Sequence, residues 1–213
     1  LKLNQDELLN NLIHELKKFK ISFCKIEDLS QKENKWIEKY YEENIIPLIA
    51  PTTLDPAHPF PFIQNQGKGL FIEMSQGTNK EINSVILLPK NLNRFVRLLG
   101  EEHKYILLED LITRFIDKIY PNHKLKNFGM FRVLRDSEIE IDDEADDLID
   151  EFESALKARR RGDVVSLEIS SNLSNNTQKL LQRELSINKS RIYTTDQFID
   201  LDNYKELFNY FNS

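Results

Sequence analysis

The run Leu54-Asp55-Pro56-Ala57-His58-Pro59-Phe60-Pro61-Phe62 constrains this chain more than any other stretch, because it places three of the seven prolines within nine residues. Each proline fixes its φ and lacks a backbone donor, and each residue before one is pushed to extended geometry. The segment therefore cannot join the middle of a sheet; it is a stiff, polyproline-like strap, and a pre-ordered loop loses little entropy when it docks. His58 offers an acid, a base or a phosphate acceptor. Yet no second ligand or carboxylate stands at a telling spacing, and Asp55 lies three residues away in a non-helical segment. The base–orienter geometry of a reactive histidine is missing, and the strap reading outweighs the catalytic one.

Around the strap, periodicity predicts a mixture of elements. Leu8, Leu9, Leu12, Ile13, Leu16 and Phe19 recur at helical spacing, Ile21–Ile26 alternates as a short strand, and Ser30-Gln31-Lys32-Glu33 is a capping box opening a helix that should stop before Pro47. Gly69–Met74 and Ile82–Leu88 read as a hairpin around Gln76-Gly77-Thr78-Asn79. Asn91–Leu99 reads as a short helix ended by Gly100, and Leu111–Ile119 as another ended by Pro121. Phe128–Ile141 is extended, 145–159 is helical up to Gly162, Val164–Ile169 is a strand, and Thr177–Leu185 and Tyr204–Phe211 are helices. No βα unit repeats, so the expected class is α+β: a mixed or antiparallel sheet with packed helices. The strands begin only after residue 20, so residues 1–20 are expected to be a helix of a preceding domain, with 21–213 as the domain itself.

Two charged stretches stand out. From Asp136 to Glu153 eleven of eighteen residues are acidic, but Asp147 occupies the position where a calcium loop needs glycine, and helical period runs through it. Acids at the start of this helix and Lys157, Arg159, Arg160 and Arg161 at its end complement its dipole. That basic corner is also a candidate phosphate or partner contact. In Phe131-Arg132-Val133-Leu134-Arg135-Asp136, alternation puts Arg135 on the apolar face with Phe131 and Val133. A cation there needs a carboxylate partner or a subunit interface, and its truncation is expected to cost about 3–5 kcal/mol.

Length and composition bound the rest. At 213 residues, with 40% hydrophobic and 30% charged residues, the chain can bury a real core as an ordinary globular protein. No apolar run approaches the ~18–20 residues that span a bilayer, and no signal-peptide pattern is present. A single cysteine, Cys24, allows no internal disulfide and points to a reducing, cytoplasmic setting. The net charge of −6 argues against nucleic acid or other long polyanion contacts. The chain opens at Leu1 directly in helical pattern, as expected for part of something larger. P-loop, dinucleotide fingerprint and zinc spacing are all absent from the sequence.

Ile46-Pro47 through Asp55–Phe62 resembles a stretch of the polyphosphate kinases of the long, multidomain bacterial type. Phe131–Asp136, the acidic run and Arg159–Glu168 are similar to a second block of that family, and Ile192-Tyr193, Asp196 and Asp200-Leu201 to a third. The resemblance implies the middle, or head, domain of an enzyme that reversibly moves the terminal phosphate of ATP onto polyphosphate, through a phosphohistidine and with magnesium. Residues 1–20 would then be the last helix of the N-terminal domain. The phosphorylated histidine and its arginines would lie in C-terminal catalytic domains outside these residues, so no catalytic, cofactor or metal position is carried over, and His58 is not the phosphohistidine. The implied role is scaffolding and homodimer assembly beside those domains, in the cytoplasm or peripherally at the inner membrane. A non-catalytic module binding phosphate or polyphosphate is the alternative. Candidate interface or phosphate contacts are Arg132, Arg135, His58, Arg159, Arg160 and Arg161.

Overall fold

The computed structural model describes residues 2–55, 59–77, 80–100, 103–136, 162–196 and 199–209. Strands β1 (Ile21–Phe23), β2 (Ala50–Leu54), β3 (Lys68–Gln76), β4 (Lys80–Leu88), β5 (Phe95–Arg97), β6 (His103–Leu107), β7 (His123–Arg135), β8 (Val164–Ser170) and β9 (Ile192–Thr195) form two sheets. The larger runs β2-β4-β3-β7-β8-β9, antiparallel except for the parallel β8–β9 pair; the smaller runs β1-β6-β5. Helices are α1 (Lys2–Lys18), α2 (Gln31–Tyr40), α3 (Leu108–Arg114), α4 (Ile116–Ile119), α5 (Asn175–Glu184) and α6 (Lys205–Asn209). Mixed sheets with segregated helices bear out the α+β class.

The larger sheet divides the hydrophobic core in two. Successive residues Leu70, Phe71 and Ile72 of β3 are all fully buried, as expected of a central strand covered on both faces. One face, with Leu70, Ile72, Ile86 and Met130, packs against α2, α3, α4 and the smaller sheet through Ile37, Tyr41, Val96, Ile106 and Ile112. The other, with Phe71, Val85, Phe131, Val133, Leu167 and Ile169, is closed by α5 through Leu181 and Leu185 and by the strap through Ile63 and Phe60. From Pro59 onward the strap thus covers a sheet face. Its preceding strand β2, which contains Pro51, lies at the sheet's edge, where a missing donor is tolerated.

Local chemistry accounts for several boundaries. The Ser30 hydroxyl accepts from Glu33 N at 3.3 Å while the Glu33 carboxylate accepts from Ser30 N at 2.8 Å, completing the capping box. Beyond α2 the chain loosens into one wider π-type turn, Tyr41–Ile45, before a tight turn at Ile46–Leu48 that contains Pro47. The single stripe expected over Leu111–Ile119 is two short helices, broken at Phe115, where φ −107° and ψ 26° leave helical geometry.

One expectation fails. Asn91–Leu99 is not a helix: Phe95–Arg97 is a strand, antiparallel to β6. Leu98 N donates to Lys104 O and Leu108 N to Arg94 O, both at 2.8 Å. Pairing with β6 and burial of Phe95 and Val96 override the helical spacing of the segment. The 145–159 helix lies outside the described residues.

The first helix is anchored near its end. Leu16 joins Ile21, Phe95, Tyr105, Tyr204 and Leu207 in a small core, with Ile13 beside it. Leu8 and Phe19, from the same apolar stripe, are 68% and 64% exposed.

Candidate functional site

Arg135 fastens the strap to the sheet. A β-bulge at Leu134/Arg135 ends the regular pairing of β7 with β8. Beyond it the Arg135 guanidinium donates to Ile63 O at 2.8 Å and Gly162 O at 2.7 Å, and lies 4.6 Å from the centre of the Phe62 ring. Its backbone N donates to Asn65 Oδ1 at 2.9 Å. The side chain therefore reaches the strap on the Phe131/Val133 face, as alternation requires. The strap and Gly162 bring main-chain carbonyls and an aromatic ring to it. Since the residue is only half-buried, the cost of Arg135→Ala is set at about 2–3 kcal/mol, from two charge-assisted hydrogen bonds and a cation–π contact. Urea unfolding of Arg135→Ala and Arg135→Lys measures it; lysine should recover less than half, lacking the fork. His58, Arg159, Arg160 and Arg161 lie outside the described residues, as does the acidic run beyond Asp136.

Carboxylates gather around Arg132, on the opposite face. Its cross-strand neighbours are Lys68 and Glu168. Arg132 approaches Glu168 at 3.5 Å and Asp200 at 3.6 Å, and Lys68 Nζ sits 2.8 Å from both Asp200 Oδ2 and Asn203 Oδ1. Asp200 holds a left-handed backbone, φ 64°, to present its carboxylate there. Two cations are thus met by two carboxylates of the same chain.

The network continues inward. Asn203 donates to Glu206 Oε1 at 2.9 Å, and Glu206 Oε2 accepts from the backbone N–H of Arg94 at 2.8 Å and Phe95 at 3.2 Å, blunting the start of β5. Arg94 and Glu109 are both buried, at 4% and 6% exposure. Arg94 Nε donates to Glu109 Oε1 at 3.0 Å, a second nitrogen bonds the same carboxylate, and a third donates to Ile199 O. Nothing in the sequence announced this pair, because Arg94 lies in the segment misread as a helix and Glu109 in the first turn of α3, fifteen residues on.

Arg94 and Glu109 line a crevice of about 390 Å³ with Asp110, Phe128, Met130, Asp196 and Ile199. Burial pushes the Asp110 carboxyl up to about 6, the charges of Glu109 and Glu27 add to the rise, and Arg94 opposes it. The folded chain holds this proton more tightly than the unfolded chain does. Stability is therefore fullest below the ordinary aspartate range and declines as pH rises through about 4 to 6. Asp110→Asn is expected to stabilise the fold by about 2 kcal/mol near pH 7.5 and by almost nothing near pH 4. Urea midpoints at the two pH values check this.

A second cleft, about 650 Å³, lies beside α5. Ser174 caps that helix by accepting from Thr177 N at 3.2 Å, and donates to Glu73 Oε1 at 2.7 Å; the Thr177 hydroxyl also donates to Glu73. A carboxylate of the chain itself thus sits at the positive end of the helix dipole. Of the three cations that line the cleft, Lys126 pairs with Glu81 at 3.0 Å and Arg183 with Glu184 at 2.7 Å; Lys179 is the third. Among the described residues no three His, Cys, Asp or Glu side chains converge to hold a metal ion.

The sequence profile described as "Polyphosphate kinase middle domain" matches residues 32–207. The chain belongs to the polyphosphate kinase family. A polyphosphate kinase of Erythrobacter litoralis is 38% identical over 197 residues, covering 92% of this chain and 27% of that protein. Another, from Halalkalibacterium halodurans, is 33% identical over 195 residues, covering 89% and 28%. The crystal structure of polyphosphate kinase from Porphyromonas gingivalis shares the fold, with a TM-score of 0.73 at 16% identity over 94% of this chain and 30% of that one. This polyphosphate kinase middle domain therefore spans a little over a quarter of the curated relatives' length.

Proposed function

We propose that this chain serves as the scaffold and dimerisation unit of an ATP–polyphosphate phosphotransferase, with the reacting groups, ATP and magnesium held by parts of the polypeptide outside its 213 residues. The observation that carries this reading is the internal commitment of the three least exposed cations that form ion pairs among the described residues. Phosphoryl transfer needs Arg, Lys or metal ions aimed at the migrating group. Here Arg94, Arg132 and Lys68 are met by Glu109, Glu168 and Asp200. The reading assigns residues 1–20 to the preceding domain, which would cover the exposed Leu8 of α1 and Phe19 just after it. It places the protein in the cytoplasm or peripherally at the inner membrane, and among the described residues no helix is long and apolar enough to cross a membrane.

Sedimentation of the chain and titration with polyphosphate at about 50 and about 200 mM salt test the proposal. The scaffold reading expects self-association and no saturable polyphosphate binding. Binding that weakens steeply with salt would support the binding-module alternative instead.

A further inference from the structure

The end of β7 is held from two sides. Backbone N–H groups alternate in direction along a strand, so successive residues of β7 face different neighbours. On one side Val133 N donates to Gly67 O at 3.0 Å and Arg135 N to Asn65 Oδ1 at 2.9 Å. With these bonds the strap takes over the ladder that β3 gives up at Lys68 and Arg132. On the other side Asp136 N donates to Asp163 O at 3.1 Å, and Asp163 N donates to Asp136 Oδ1 at 2.9 Å. This reciprocal pair closes a neck where the chain leaves β7 and re-enters β8, next to Gly162 with its left-handed φ of 51°.

Arg135 spans both sides. Its Nε donates to Ile63 O of the strap and a terminal nitrogen donates to Gly162 O of the neck, while the guanidinium carbon lies over the Phe62 ring. The guanidinium is a planar, rigid fork, so the two bonds share one placement. A shift of the neck carbonyl draws the fork away from the strap carbonyl, and lifting the strap draws it away from the neck. Asp136 is exposed, and a neck closed only by its bonds to Asp163 would open readily.

We propose that the 59–67 part of the strap and the Asp136–Asp163 neck dock as one cooperative unit, with Arg135 as the coupling side chain: the neck closes when the strap is seated and loosens when it lifts. Such coupling is reciprocal. A contact made on the exposed Phe62 ring would tighten the neck, and a pull on the neck would be felt on the sheet face that the strap covers. The inference does not depend on the scaffold proposal.

Residue-resolved amide hydrogen exchange of the whole 213-residue chain tests the coupling. Asp136→Ala removes a bond on the side away from the strap, yet exchange of the Gly67, Val133 and Arg135 amides should quicken about threefold or more. Asp136→Asn keeps the acceptor oxygen and should leave those amides as they are. Asn65→Ala takes the acceptor from the Arg135 amide on the strap side and should quicken the Asp136 and Asp163 amides across the strand. In Arg135→Met, which keeps an aliphatic stem but neither bond, each perturbation should stay on its own side. The amides of β5 and β6, which belong to the smaller sheet, should not change in Asp136→Ala or Asn65→Ala. Faster exchange confined to the neck in Asp136→Ala, crosstalk that persists in Arg135→Met, or equal acceleration in β5 and β6 would overturn the proposal.

Discussion

Arg94→Ala is expected to destabilise the fold by about 3–5 kcal/mol, among the largest effects available in this chain. The cost arises mostly from the groups left behind. Glu109, at 6% exposure, loses the cation that two guanidinium nitrogens hold against it, and Ile199 O loses its donor. A buried ion pair is weak evidence for net stability, but removing one partner strands the other without water. The double replacement Arg94→Met with Glu109→Leu should therefore cost clearly less than Arg94→Ala alone, because no charge remains buried. Chemical denaturation of the three proteins decides the matter. Equal losses in single and double variants would show that packing, not the orphaned carboxylate, sets the penalty.

Phe131→Ala should cost a similar amount, about 3–5 kcal/mol, for a different reason. The ring is fully buried in the core beneath α5 and the strap. It lies directly across the ladder from Gly69 and covers it so closely that a β-carbon there would meet the ring at 2.6 Å. Truncation opens a cavity where sheet, helix and strap meet, and the surrounding strands cannot collapse into it. Gly69→Ala, which overpacks the native core by about 1–3 kcal/mol, should be partly relieved when Phe131 is already alanine. Strict additivity of the two changes would contradict this packing.

The legible parts of the fold are those whose signals are local. Ser30 and Glu33 cap α2 by contacts three residues apart, and the β3–β4 hairpin closes over a short turn. The strap, the strand through Phe131 and Val133, and the face chosen by Arg135 come from proline chemistry and a period of two. By contrast, β5 and β6 exist because they pair with each other and pack under α1, and such short strands carry no period of their own. The same limit hid the site chemistry. Lys68 and Asp200 are far apart in sequence, and the surroundings that raise the Asp110 carboxyl come from Glu27, Glu109 and the crevice together. Family likeness located the middle domain, but residue spacing had no means of showing which cations are already spent on internal carboxylates.

The most direct test of the central claim is ATP turnover by this chain alone, supplied with magnesium and polyphosphate and followed as ADP release. The scaffold account predicts no turnover above the uncatalysed background at any enzyme concentration. Steady ADP release proportional to the amount of chain, lost on replacing any of its own residues, would contradict it.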